Sequence, residues 1–161
     1  IFINWGFPEI RNNTISGMTS TGMNVSGSPI VVGNTITNCG TGINIGRGYG
    51  TYQSNNISNN NIGISNYYYE PIINKNTYFN NVVDREVSGG ISKTVEWNET
   101  GDNVYLITDN LEISAGGSLT ISQGKTIKID EKEIPLLGRT AQGVRLIRLH
   151  EGDSVASGLL L

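Results

Sequence analysis

Chemistry on a sugar or a metal needs carboxylates or imidazoles brought close together, and the first half of this sequence offers few of either. Residues 1–80 carry only five charges, Glu9, Arg11, Arg47, Glu70 and Lys75, while residues 81–161 carry the other twenty. A glycosidase pair needs two carboxylates about 5–10 Å apart, and the only acidic residues before Asp84 are Glu9 and Glu70. His150 is the single histidine and Cys39 the single cysteine, which excludes a zinc site built from those ligands and an intrachain disulfide framework. No metal site, no cofactor and no catalytic residue are expected. "GRGYG" at 46–50 has phosphate-loop glycines, but no helix pattern follows it. "SQGKT" at 122–126 ends like a P-loop, yet Leu119 stands where that motif needs glycine.

The aromatic residues are more promising. "YYYE" at 67–70 sets Tyr67, Tyr68 and Tyr69 in a row, with Tyr49 and Tyr52 shortly before. Phenol rings on one flank can stack against the C–H faces of a sugar and offer hydroxyls for hydrogen bonds. These five residues are the candidate ligand-binding set, for a polysaccharide or cell-surface glycan. The competing reading is that some of the rings cover the edge of the core at a longer loop.

The elements that must position these residues follow from a repeat. Asn13, Asn34, Asn55 and Asn76 fall at a constant step of 21, as do Ile15, Ile36, Ile57 and Tyr78. Pro8, Pro29 and Pro71 keep the same register, with one rung lacking its proline. "GMNV" at 22–25, "GINI" at 42–45 and "NIGI" at 61–64 add a further segment per repeat. Apolar residues alternate within these segments, as in Met23/Val25 and Ile43/Ile45, which is the period of a strand. Strands this short are stable only when stacked, each paired with its equivalent in the next coil about 4.8 Å away. Inward isoleucines then stack on one another, and the asparagines form an amide ladder at a turn. The 21 glycines favour turns and work against helix.

This "xNTIxxNxxGIxI" grammar resembles the right-handed parallel β-helix of the pectate-lyase-like superfamily, over about residues 8–83. The resemblance implies an all-β fold, a solenoid of 21-residue coils followed by a smaller β-rich part. It also implies an extracytoplasmic setting, secreted, surface or periplasmic. Enzymes of that superfamily use clustered acids, often with calcium, and an Arg or Lys base. Here Glu9 and Glu70 would lie three coils apart, roughly 14 Å, too far to cooperate. The implied function is a non-catalytic structural or carbohydrate-contacting surface; a polysaccharide lyase or hydrolase lacking its catalytic coils is a further alternative. Asn-x-Ser/Thr sequons at Asn12, Asn24, Asn56 and Asn98 are what an Asn-rich sequence produces by chance.

Beyond the repeat, "DREVSGGISKTVEWNETG" at 84–101 breaks the register with charges and adjacent glycines, and is expected to be a linker. "LEI", "LTI" and "IKI" then recur every eight residues over 111–129. They read as strands, either the end coil of a β-helix or a small β-meander. The three parts are thus 1–83, 84–101 and 102–161.

The tail has a different character. "GKTIKIDEKEIPLLGRTAQGVRLIRLHEGDSV" at 124–155 is similar to a blade of the C-terminal β-pinwheel of the DNA gyrase A subunit or its topoisomerase IV relative. Gly124, Lys125, Gly138, Arg139, Gly143, Val144, Arg145, Ile147, Leu149, Gly152, Asp153 and Val155 match that family's pattern. The resemblance implies phosphate contacts from Lys132, Arg139, Arg145 and Arg148, with weak, salt-dependent DNA binding and a cytoplasmic setting. It spans one blade, without the family's Gln-Arg-Arg-Gly-Gly-Lys-Gly box or its catalytic-tyrosine domain, and Glu131, Glu133, Glu151 and Asp153 offset its positive charge. The expectation is a chimera or fragment joined near Ser122–Lys125. The absence of an initial Met and the closing Leu159-Leu160-Leu161 point the same way. The overall charge of −3 argues against nucleic-acid or anionic-membrane binding by the chain as a whole, and no apolar run is long enough to span a bilayer.

Overall fold

The computed structural model describes residues 1–67, 70–101 and 103–129. Seventeen strands and no helix occur among them. In chain order they form successive coils: β1 (Phe2–Ile3), β2 (Glu9–Arg11) and β3 (Thr14–Ser16); β4 (Thr21–Val25), β5 (Ile30–Val32) and β6 (Thr35–Thr37); β7 (Thr41–Ile45), β8 (Thr51–Gln53) and β9 (Asn56–Ser58); β10 (Ile62–Tyr67), β11 (Ile72–Asn74) and β12 (Thr77–Phe79). The coils then lose one side: β13 (Val83–Ile91) and β14 (Thr94–Trp97), β15 (Val104–Ile113) and β16 (Ser118–Ile121), with β17 (Thr126–Ile129) opening the next.

Every pairing among these strands is parallel and links a strand to its equivalent one coil away. The long sheet runs β1-β4-β7-β10-β13-β15-β17, flanked by β2-β5-β8-β11 and β3-β6-β9-β12, and later by the pair β14-β16. This is a parallel β-helix of about six turns. The charged stretch 84–101 is therefore no linker: β13 pairs with β10 on one side and β15 on the other, and β14 pairs with β16. The eight-residue recurrence over 111–129 is likewise coil, not an antiparallel meander.

Registry stacks like on like. Ile15, Ile36, Ile57 and Tyr78 form one inward column. Ile10, Val31, Tyr52 and Ile73 form a second. In the long sheet Met23, Ile43 and Ile64 stack, and the column continues through Arg85, Tyr105 and Ile127. The first four coils thus enclose an aliphatic core, and the later coils a separate one around Val87, Trp97 and Tyr105.

The corners follow the same step. Asn12, Gly33, Ser54 and Lys75 all have φ between 53° and 69°, and Gly17, Asn38, Asn59 and Asn80 between 55° and 72°. From the second coil on, each of these left-handed residues is followed by a side chain that is wholly or partly buried. At the first corner that side chain is the asparagine of the ladder. Asn34 Oδ1 accepts from the backbone N–H of Asn13 at 2.9 Å, Asn55 Oδ1 from Asn34 and Asn76 Oδ1 from Asn55 at the same distance. Each buried amide also donates back to a carbonyl, Asn34 to Ile10, Asn55 to Val31 and Asn76 to Tyr52. The second corner holds a shorter ladder that the sequence reading did not find. There Asn60 Oδ1 accepts from Cys39 N–H at 2.8 Å and Asn81 Oδ1 from Asn60 N–H at 3.0 Å.

Candidate functional site

The third corner of the first three coils is built on glycine. Gly6, Gly27 and Gly48 succeed one another at the 21-residue step, all with positive φ. They are pressed backbone to backbone: a Cβ on Gly48 would lie 1.6 Å from the Gly27 carbonyl oxygen, and one on Gly27 2.7 Å from that of Gly6. Side chains therefore leave this corner only from the residues on either side. In the first coil these are Trp5 and Phe7, in the second Ser26 and Ser28, and in the third Arg47 and Tyr49. The small middle coil leaves a pocket of about 300 Å³ lined by Trp5, Phe7, Gly27, Ser28, Arg47 and Tyr49. Its rings are unusually bare, Trp5 61 % exposed, Phe7 85 % and Tyr49 62 %.

One coil further on, Glu70 accepts hydrogen bonds from the backbone N–H and hydroxyl of Ser92, and Lys93 Nζ approaches to 3.7 Å. Partial burial works against ionisation of Glu70, but these partners outweigh it and hold the carboxyl below its usual range. Lys93 also lies 5.9 Å from the centre of the Tyr49 ring. Glu9 sits on the outer face of β2, bonded to Arg11 at 2.6 Å, three coils from Glu70. The two acids do not meet.

The five tyrosines of the sequence reading part company. Tyr49 stands on the outer corner. Tyr52 is fully buried in the column of Ile10, Val31 and Ile73, so its ring packs the core and cannot meet a ligand; burial pushes its phenol well up. The step of 21 from Val31 was the signal that would have placed it inside. Tyr67 ends β10 half-buried, its phenol raised chiefly by burial, with Ser65 and Glu86 beside it. Tyr68 and Tyr69 lie outside the described residues, as do Lys132, Arg139, Arg145 and Arg148. Trp5, Phe7 and Arg47 were missed by the sequence reading, although the glycine spacing at 6, 27 and 48 marks the corner.

Among the described residues the soft donors are scattered, Met18 exposed and the others enclosed. Cys39 is buried and its thiol donates to the Thr37 carbonyl at 3.3 Å, and Met23 is wholly enclosed in the same core. Among the described residues no three His, Cys, Asp or Glu side chains stand close enough to share an ion. Among them, too, no helix is long and apolar enough to cross a membrane.

Comparison with known proteins divides the chain near residue 120. Residues 122–160 match the DNA gyrase C-terminal domain, a β-propeller. The DNA gyrase A subunit of Chlamydia pneumoniae is 37 % identical over 73 residues, 43 % of this chain, which spans only 8 % of that relative's length. No solved structure matches. The greater part of the chain, residues 7–117, matches the family described as periplasmic copper-binding protein (NosD), and the stacked coils with their asparagine ladders are the structure of that match: the chain belongs to the NosD family.

Proposed function

We propose that this chain serves as an extracytoplasmic, non-catalytic β-helix surface that contacts carbohydrate through exposed aromatic rings on one corner of its coils. The observation that carries this reading is Tyr49, bare on the outer corner and joined there by Trp5 and Phe7. Large apolar rings exposed together on a rigid scaffold mark a contact surface, and stacked coils hold them at fixed spacing. The periplasmic description of the family supports the extracytoplasmic placement. Three of the described carboxylates are engaged within the fold, which favours a surface role over a catalytic one for them. Glu70 is tied to Ser92, Asp84 accepts from Asn81 and from the N–H of Val104, and Glu99 is enclosed with Arg85 and Tyr105.

The family description also names copper. Copper prefers several accessible thiolate, thioether or imidazole donors together, and the described residues do not fit that need: Cys39 and Met23 are sealed in the core, His150 lies outside the described residues, and the exposed thioether of Met18 is a single donor. The proposed contact involves no metal.

The test is affinity electrophoresis of the full chain through gels containing soluble polysaccharides, with reducing ends assayed afterwards. Retardation by at least one polysaccharide without its cleavage is expected. Free migration through all of them, or release of reducing ends, would remove the reading. Replacing Tyr67, Tyr68 and Tyr69 together by Ala then shows whether the contact extends to that segment.

A second reading rests on the gyrase-like tail. Under it, Lys132, Arg139, Arg145 and Arg148 contact DNA phosphates. With about four such contacts, binding is weak and falls steeply with salt. Retardation of DNA at low salt that is lost on replacing these residues by Ala supports it; no retardation, or retardation indifferent to the substitutions, disposes of it.

A further inference from the structure

We propose that the pocket over Gly27 binds a sugar ring that carries an anionic group, the ring between the Trp5–Phe7 wall and the Tyr49 wall and the anion on Arg47. This rests on the carbohydrate reading above and narrows it to one place and one charge.

The spacing suits one ring. Trp5 and Phe7 belong to the first coil and Arg47 and Tyr49 to the third, so the walls rise from backbones roughly 10 Å apart. A saturated ring in contact with an apolar face on each side needs roughly 7–8 Å between those faces. Two stacked rings would not fit. The floor is the Gly27 backbone, which the close approach of Gly6 and Gly48 keeps free of a side chain, and Ser28 adds a hydroxyl beside it. A flat-faced ligand matches these apolar walls, and the Ser28 hydroxyl offers it a polar contact.

The charge comes from Arg47. Among the described residues its guanidinium has no ion-pair partner, whereas the other cation of this corner, Lys93, lies beside Glu70. An arginine set among aromatic rings forks onto a carboxylate or sulfate with two parallel hydrogen bonds. A single nucleic-acid strand also combines rings with anions, but it needs a run of cations along its path. This corner offers two, and one of them, Lys93, already faces Glu70.

The exposed Trp5 makes the site readable by fluorescence, since Trp97, the other tryptophan, is buried. The full chain is titrated with a glucuronate-containing oligosaccharide, with its carboxyl-reduced counterpart, and with oligothymidylate. Quenching by the charged saccharide is expected at concentrations about tenfold or more below those of the reduced one. Arg47→Ala should abolish that preference and Arg47→Lys restore part of it. Tyr49→Ala should weaken binding about tenfold, and Ser28→Phe should block it by filling the gap without adding a tryptophan. All three positions are surface positions, and unchanged circular dichroism verifies folding. Equal affinity for the charged and reduced saccharides overturns the anionic assignment. Saccharide binding that survives Tyr49→Ala and Ser28→Phe overturns the location while leaving the carbohydrate reading intact. Binding of oligothymidylate alone overturns the ligand class. Failure of every polysaccharide in the gel assay is the separate result that removes the carbohydrate reading itself.

Discussion

Arg85 donates from Nη1 to Glu99 Oε1 across 3.3 Å in the interior of the solenoid, where their side chains are 7 % and 0 % exposed. Arg85 occupies the column that Met23, Ile43 and Ile64 fill in earlier coils. Its guanidinium lies 5.5 Å from the ring centre of Tyr105 and 6.0 Å from that of Trp97, and those rings stack at 4.3 Å. Tyr105 donates its hydroxyl to Glu99 at 2.5 Å, and Asn66 accepts from Arg85 Nη2 at 3.3 Å. This knot lies where the three-sided coils give way to two-sided ones. Glu99→Ala leaves a buried guanidinium without its counter-charge and should cost about 3–5 kcal/mol in urea unfolding. The double replacement Arg85→Met with Glu99→Leu should recover most of that loss. Additive losses in the double variant would show that the pair contributes more than mutual neutralisation.

Alkali should unfold the protein through its buried phenols. Burial raises Tyr52, Tyr78 and Tyr105 above the ordinary 10.0, and the nearby Glu99 acts in the same direction on Tyr105. The unfolded chain therefore loses these protons first as pH rises. Their contribution to stability is complete below about pH 10 and is lost above it. The slope should reach about 4 kcal/mol per pH unit if all three titrate only on unfolding. Tyrosinate absorbance should rise together with the loss of circular dichroism. Smooth titration of all seven tyrosines before unfolding would contradict it.

The step of 21 made the coil register legible because it recurs in two residue types with opposite needs, Asn for the corner amide and Ile for the core. Tyr52 was equally legible in its column, but its resemblance to Tyr49 drew it to the surface set. The stretch 84–101 was misread because Asp84, Arg85 and Glu99 look like solvated charges. Folding turns Arg85 and Glu99 inward as partners, and Asp84 serves the N–H of Val104. The pocket was hidden for a different reason: Trp5 and Tyr49 are distant in sequence and become neighbours only across the small second coil.

The amide ladder should behave as a chain whose middle matters most. Asn55 Oδ1 accepts from both the backbone and side-chain nitrogens of Asn34, and its amide nitrogen donates to Val31 and to Asn76. Asn55→Ala strips a buried carbonyl and two buried donors of partners and should lower stability by about 2–4 kcal/mol. Asn13→Ala, at the exposed first rung, should cost about 1 kcal/mol or less. Thermal melts of the two variants compare them directly. Equal losses would mean that the ladder shares its load evenly along the solenoid.

Cys39 interrupts the second ladder, standing one coil before Asn60 and two before Asn81. Asn60 donates to the carbonyl of Ile36 and Asn81 to that of Ile57, each 24 residues earlier. An asparagine at 39 would by the same step reach the carbonyl of Ile15 and the side chain of Asn60. Cys39→Asn should therefore raise stability by about 0.5–1.5 kcal/mol, the net value of an added buried hydrogen bond. The opposing cost is room: the thiol packs closely enough on Gly22 that a Cβ there would sit 3.1 Å from it. A larger amide strains that contact unless its hydrogen bonds orient it along the ladder. Urea unfolding decides between the two. A higher midpoint at unchanged slope means the ladder has been completed, whereas a lower one means that packing on Gly22 requires the small thiol.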